Sequence, residues 1–296
     1  MHGPGIRPQA ALTWETVHVA ASGRTVPARV LRPKGPHRGW LVWAHGGSWR
    51  SGSAGDWHEA CADLALHASY CVVSVDYRLA PEHRHPAALE DVLAVVDWAQ
   101  EQAERAGVAP VAVGGDSAGA TIAACAAVVR RDRGLALSAQ VLAYPPLDPS
   151  CRAPSYTRYV GNFPTPQGLA EAWREYRGGP DAGDPPGLPS TPLWVEDLSG
   201  LAPAILGVGV FDPVLDDVRH YAGRLRSAGN DLVYQEFASG LHGAFLQPPG
   251  RLTGRDDPSA LRRWLGTSLR DRRPAEAAAS PPGPAAGPGP EPKEKS

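Results

Sequence analysis

The chain has little charge and no excess of either sign. Of 296 residues only 20% are Asp, Glu, Lys or Arg, and 29 cations face 31 carboxylates for a formal charge of −2. Such a balance exerts no general pull on phosphate backbones or anionic lipid, so no nucleic-acid and no membrane partner is expected, and a small neutral ligand fits better. Cysteine is scarce too: Cys61, Cys71, Cys125 and Cys151 make no C-x-x-C pair, and the first three sit in apolar stretches. They read as reduced core residues rather than as a disulfide framework. There is no run of 18 apolar residues, and no apolar core with a small-residue cleavage site follows MHGPGIRPQAALTW. The expectation is a cytoplasmic protein. A dinucleotide fingerprint is missing, since the nearest approach, GVGVFD at 207–212, lacks its third glycine. His83 and His85 lie beside Glu82 without a third ligand at a suitable spacing, so no metal and no cofactor is expected.

Glycine and proline, by contrast, are plentiful, at 33 and 31 residues. From Arg272 onward Pro and Gly crowd a stretch with no side chain larger than Ala that is apolar, so residues 272–296 are expected to be a disordered tail. Residues 1–271 suffice for one α/β domain. Within them, two runs with period-2 spacing, 14–20 and 26–32, predict an opening hairpin. Further β-rich runs at 40–45, 70–77, 111–115, 139–144, 204–209 and 232–237 are in several cases continuously apolar, as in strands covered on both faces. Helical patterns fall between them, at 56–68 with Asp56 as a cap, 86–105, 118–132, 213–228 and 258–270. The alternation predicts a mostly parallel, eight-stranded, doubly wound sheet. One interval, 146–200, holds a helical patch near 166–177 and a Pro/Gly-rich run; an insertion that long reads as a partial cap over the sheet's carboxyl edge.

The run VAVGG leads straight into GDSAG at 115–119 and then an Ala-rich helix. G-x-S-x-G between strand and helix is the pattern of a nucleophile elbow, whose glycines permit the sharp reversal that exposes a serine hydroxyl. Ser117 is therefore the candidate nucleophile, with Asp116 beside it as support. A serine needs a base, and on this topology the acid and then the histidine follow it at later strand ends. Asp212 stands just past the 204–209 strand, with Asp216 and Asp217 as rivals in the following helix start. Of ten histidines, His242 alone follows a strand after the elbow; His220 lies within a helix and the rest precede Ser117. Upstream, HGG at 45–47 ends a strand, and the amides of Gly46, Gly47 and Ala118 would form an oxyanion hole with His45 as support.

HGGSW at 45–49, DYRLAPEH at 76–83, GDSAG at 115–119, FDPVLDD at 211–217 and HGAF at 242–245 together resemble the hormone-sensitive-lipase branch of the α/β-hydrolases. The resemblance spans about residues 40–250 and implies a carboxylesterase with Ser117, Asp212 and His242 as its triad, no cofactor, a small ester substrate, and a fold whose exposed edges leave room for a homodimer. Two features depart from the family. Ser48 stands where the third glycine of the loop is usual, and only the residues before Trp14 stand where the family commonly carries cap helices, which implies a more open acyl pocket. Alternative readings are an arylformamidase or other amidohydrolase, suggested by HGG-x-W, an acyltransferase, and a non-catalytic ligand receptor on the same scaffold. Asp76, Arg78 and Glu82 are expected to form an ion-pair and turn network, and Asp91 to be a structural carboxylate. Trp49, Phe163, Trp173, Trp194 and Phe211 are candidates for lining the pocket.

Overall fold

The computed structural model describes residues 11–108, 110–179, 182–238, 240–248, 257 and 259–272. The Pro-rich tail lies outside the described residues except for Arg272, which pairs with Asp231. Eight strands form one sheet: β1 (Leu12–Ala21), β2 (Arg24–Pro33), β3 (Trp40–Ala44), β4 (Cys71–Val75), β5 (Ala112–Asp116), β6 (Gln140–Ala143), β7 (Ala204–Gly209) and β8 (Leu232–Phe237). Their order is β1-β2-β4-β3-β5-β6-β7-β8. β1 and β2 form an antiparallel hairpin closed at Ser22 and Gly23, β2 runs antiparallel to β4, and the remaining pairs are parallel. Every residue of β3 to β7 is buried. These mostly apolar strands are thus covered on both faces, whereas β1 and β8 face solvent along much of their length.

The helices between them are α1 (His58–Ala68), α2 (Ala87–Arg105), α3 (Ala118–Asp132), α4 (Pro154–Arg158), α5 (Pro166–Arg177), α6 (Leu215–Ser227) and α7 (Ala260–Asp271). Two boundaries differ from the sequence reading. α1 starts at His58, because Asp56 accepts the Ser53 hydroxyl at 2.7 Å instead of capping the helix. α6 starts at Leu215, because Asp212 and Pro213 belong to the turn that carries the carboxylate. α1 packs against α7 closely enough that a Cβ on Gly266 would stand 2.7 Å from His67 Cβ. Among the described residues no helix is long and apolar enough to cross a membrane.

One polar network ties the hairpin to the parallel part of the sheet. Asp91 on α2, fully buried, accepts Arg24 Nε at 2.8 Å and the backbone and Nε of Arg78, each at 2.9 Å, and Glu90 joins Arg78. Asp76 accepts Ala54 N–H at 2.6 Å. Glu82, expected in this network, is exposed and forms no ion pair among the described residues, because its loop turns outward.

Candidate active site

Ser117 stands between β5 and α3 with φ 51° and ψ −125°, a backbone region that a residue with a Cβ occupies at a cost of about 1–3 kcal/mol. The two flanking glycines explain why the chain can turn there. A Cβ on Gly119 would lie 2.0 Å from Ala44 O, and one on Gly115 would lie 2.4 Å from Gly119 O. The elbow thus presses against the end of β3 with no room for a methyl group.

Two later strands deliver the partners. Beyond β7, Asp212 is fully buried and its Oδ1 accepts the Val214 N–H at 3.0 Å, which fixes the carboxylate. Beyond β8, the chain passes Gly240, and here the loops touch backbone to backbone: a Cβ on Gly209 would fall 1.9 Å from Gly240 O. That contact brings His242 to Asp212, with Nδ1 at 3.0 and 2.9 Å from the two carboxylate oxygens, and its Nε2 2.8 Å from Ser117 Oγ. A carboxylate can only accept, so Nδ1 carries the proton and Nε2 is left to accept the serine hydroxyl. Asp216 and Asp217 are elsewhere. Asp216 pairs with Arg158 and Arg219, while buried Asp217 accepts Leu147 and Asp148 N–H at 3.0 Å and Tyr156 OH at 2.8 Å.

The loop after β3 curls over the elbow. A Cβ on Gly46 would meet Asp116 Oδ2 at 2.7 Å, and Gly47 has φ 107° with Ser51 O where a Cβ would go. Ser48 and Trp49 continue in the left-handed region at φ 55° and 61°. Among the described residues the amides of Gly47 and Ala118 make no hydrogen bond, and Ala118, as the first residue of α3, has no helical acceptor. The Gly46 backbone lies against Asp116 and helps to hold its carboxyl down. His45 is buried, its Nδ1 2.7 Å from Gly46 O, its ring stacked 4.2 Å from Tyr77, whose hydroxyl donates to His45 O.

Asp116 is the most perturbed group beside Ser117. Burial pushes its carboxyl up to about 7, against the pull of the Trp57 and Trp43 indole N–H groups at 2.8 and 3.2 Å, the nearby His242 and the Gly46 backbone. Those two indoles escape a sequence reading, as does Tyr144. The Tyr144 hydroxyl accepts Phe245 N–H at 2.9 Å and its ring lies 4.8 Å from His242, so it props the histidine loop from beneath. Arg262 on α7 holds that loop from the other side, donating to Phe245 O and Gln247 O and pairing with Asp63 on α1. No spacing signals such partners, because they converge only through the sheet.

Of the aromatic candidates, Phe163 stands edge-on to His242 at 5.7 Å and is 68% exposed, and Phe211 is 49% exposed nearby, with its carbonyl bonded to Asn162. Trp49 and Trp173 are instead buried, with Trp49 stacked on Tyr176 and Trp173 tilted against both. Trp194 lies elsewhere, under Arg177. His85 is satisfied structurally, between Tyr176 OH and Leu188 O. All four cysteines are free and buried.

Comparison with known proteins agrees with this geometry. A family model described as alpha/beta hydrolase fold matches residues 41–246. The chain is 37% identical over 247 residues to the carboxylic ester hydrolase LipN of Mycobacterium tuberculosis, covering 80% of this chain and 65% of that protein. It is 38% identical over 209 residues to the carboxylesterase NlhH of the same species, covering 69% and 65%. It thus spans about 65% of the length of these curated relatives. The solved structure of esterase LipW from Mycobacterium marinum superposes with a TM-score of 0.77 at 33% identity, covering 89% of this chain and 82% of that one. The chain belongs to the alpha/beta hydrolase fold family, on its hormone-sensitive-lipase-like branch.

Proposed function

We propose that this protein is a serine carboxylesterase that hydrolyses short to medium acyl esters of small molecules through an acyl-enzyme. The observation that carries the reading is the unbroken chain from Ser117 Oγ to His242 Nε2 and from His242 Nδ1 to Asp212, with the serine raised on a strained elbow. As Oγ bonds to the ester carbonyl carbon, Nε2 takes its proton, and Asp212 stabilises the imidazolium. The amides of Gly46, Gly47 and Ala118 receive the developing oxyanion. Each such donor contributes about 3–4 kcal/mol where it has been deleted in serine hydrolases. The C–O bond then breaks, Nε2–H protonates the leaving alcohol, and a water repeats the cycle to release the acid.

The interval 146–200 acts as a partial cap, supported by Phe163 and Asn162 beside the His242 and Asp212 loops. β8 ends the sheet half-exposed, the edge at which a homodimer would form. Reduced, buried cysteines suit a cytoplasmic location. The test is labelling by a fluorophosphonate probe together with turnover of p-nitrophenyl acetate. Both are expected in the wild type and absent in Ser117→Ala; a labelled Ser117→Ala protein or an inert wild type overturns the proposal. Faster turnover of N-formylkynurenine than of the ester would reassign the bond to an amide.

A further inference from the structure

A cavity of about 560 Å³ opens between α5, the chain after β6 and the loop leading to Trp194. No residue of the proposed triad or oxyanion loop lines it; Trp173 forms one wall, with the Trp49 ring tilted against it at 4.3 Å. Three arginines line it, Arg152, Arg174 and Arg177, and among the described residues no Asp or Glu does. Arg177 is held in place. Its Nε donates to Ser190 Oγ at 3.2 Å, another of its nitrogens to Ala182 O, and its guanidinium lies 4.2 Å from the centre of the Trp194 ring. Asp184, 4.0 Å from Nε, offsets part of that one charge. Arg152 and Arg174 are exposed and form no ion pair among the described residues, unlike Arg50, Arg78 and Arg219, which each have a carboxylate partner.

Like charges gathered at one concave surface repel, and the repulsion falls when an anion sits among them. Guanidinium forks match the oxygens of a phosphate or carboxylate in pairs. Trp194, half-exposed beside them, supplies a flat apolar face, and the volume lies within the roughly 300–1,000 Å³ of small-molecule sites. We propose that this cavity binds a small organic anion whose oxyanion group is attached to a flat ring, an aryl phosphate or aryl carboxylate.

Titration calorimetry with phenyl phosphate, benzoate, inorganic phosphate and phenol on the full chain tests it. Phenyl phosphate or benzoate, or both, bind; phosphate binds more weakly and phenol does not. Arg152→Gln and Arg174→Gln each weaken the aryl anion about tenfold. Trp194→Ala removes the advantage of the ring over inorganic phosphate. Ester turnover stays unchanged in all three variants, which reports that they fold. Failure of both aryl anions to bind at millimolar concentration, or equal affinity in the doubly substituted Arg152→Gln/Arg174→Gln protein, overturns the proposal. Fluorophosphonate-blocked protein should bind as before, and loss of binding on blocking would place the ligand at Ser117 instead. Adduct formation tests the esterase reading and the arginine variants test this one, so either can fail alone.

Discussion

At the residue scale, the site works by making each polar group serve one direction. Asp212 is committed to His242 Nδ1 and to the Val214 N–H, so the imidazole has one usable tautomer. Asp212→Asn keeps the shape but can donate to Nδ1, which favours the wrong tautomer. Turnover of p-nitrophenyl acetate should fall by about 10³–10⁴ with little change in the thermal midpoint. Asp116 makes a different prediction. An unfolded aspartate titrates near 3.9, whereas burial lifts this one to about 7. Between those values the folded chain holds a proton that the unfolded chain has lost, so the group's contribution is fully present below about pH 4 and is lost as pH rises to about 7. Asp217, lifted by burial to about 7, adds a slope of the same sign. In Asp116→Asn the Asp116 part of that slope disappears. Urea denaturation should show the variant's stability deficit shrinking, or reversing, between about pH 5 and pH 8; a constant deficit would refute the assignment.

Whole elements meet here through glycine. The triad depends on the loops after β7 and β8 touching at Gly209 and Gly240, and a methyl group on Gly209 would overlap Gly240 O. Gly209→Ala must push the loops apart, which should cost about 1–3 kcal/mol of stability and move His242 from Asp212. Ester turnover should drop by at least about tenfold, since small misplacements at a reacting group are that costly. The same variant tests whether loop contact, rather than the Asp–His bond alone, sets the geometry. Tyr156 is the matching probe on the 146–200 interval. Its hydroxyl is one of three donors to Asp217, and Tyr156→Phe should lower stability by about 1–3 kcal/mol in urea melts, because the carboxylate loses a buried partner.

For the molecule as a whole, the architecture puts an exposed aromatic, Phe163, over His242 and leaves Phe211 and Leu241 at the surface beside it. A mouth that open gives a long acyl chain little wall to bury against, and each CH₂ left in water forgoes about 0.8 kcal/mol. Across p-nitrophenyl esters, kcat/KM should peak at short to medium acyl length; a steady rise to long chains would contradict the partial cap.

Much of this was legible before any coordinates. The βα alternation, the largely apolar inner strands and the hairpin followed from periodicity. Ser117, Asp212 and His242 followed from order along the chain, because an elbow and later strand ends leave few places for a nucleophile and its partners. Sequence placed Asp212 ahead of Asp216 and Asp217 by its position just past the strand, but what the two rivals do instead was out of reach: the turn at Pro213 turns Asp212 to His242 and leaves Asp217 to tie down Leu147 and Asp148. The Trp43 and Trp57 donors to Asp116, the Tyr144 and Arg262 supports of the histidine loop, and the arginines gathered around Trp173 and Trp194 lay equally out of reach. Local pattern is written by neighbours three or four residues away. These contacts join residues tens to more than a hundred positions apart, and it is the stacking of strands and helices that gives such pairs a common place.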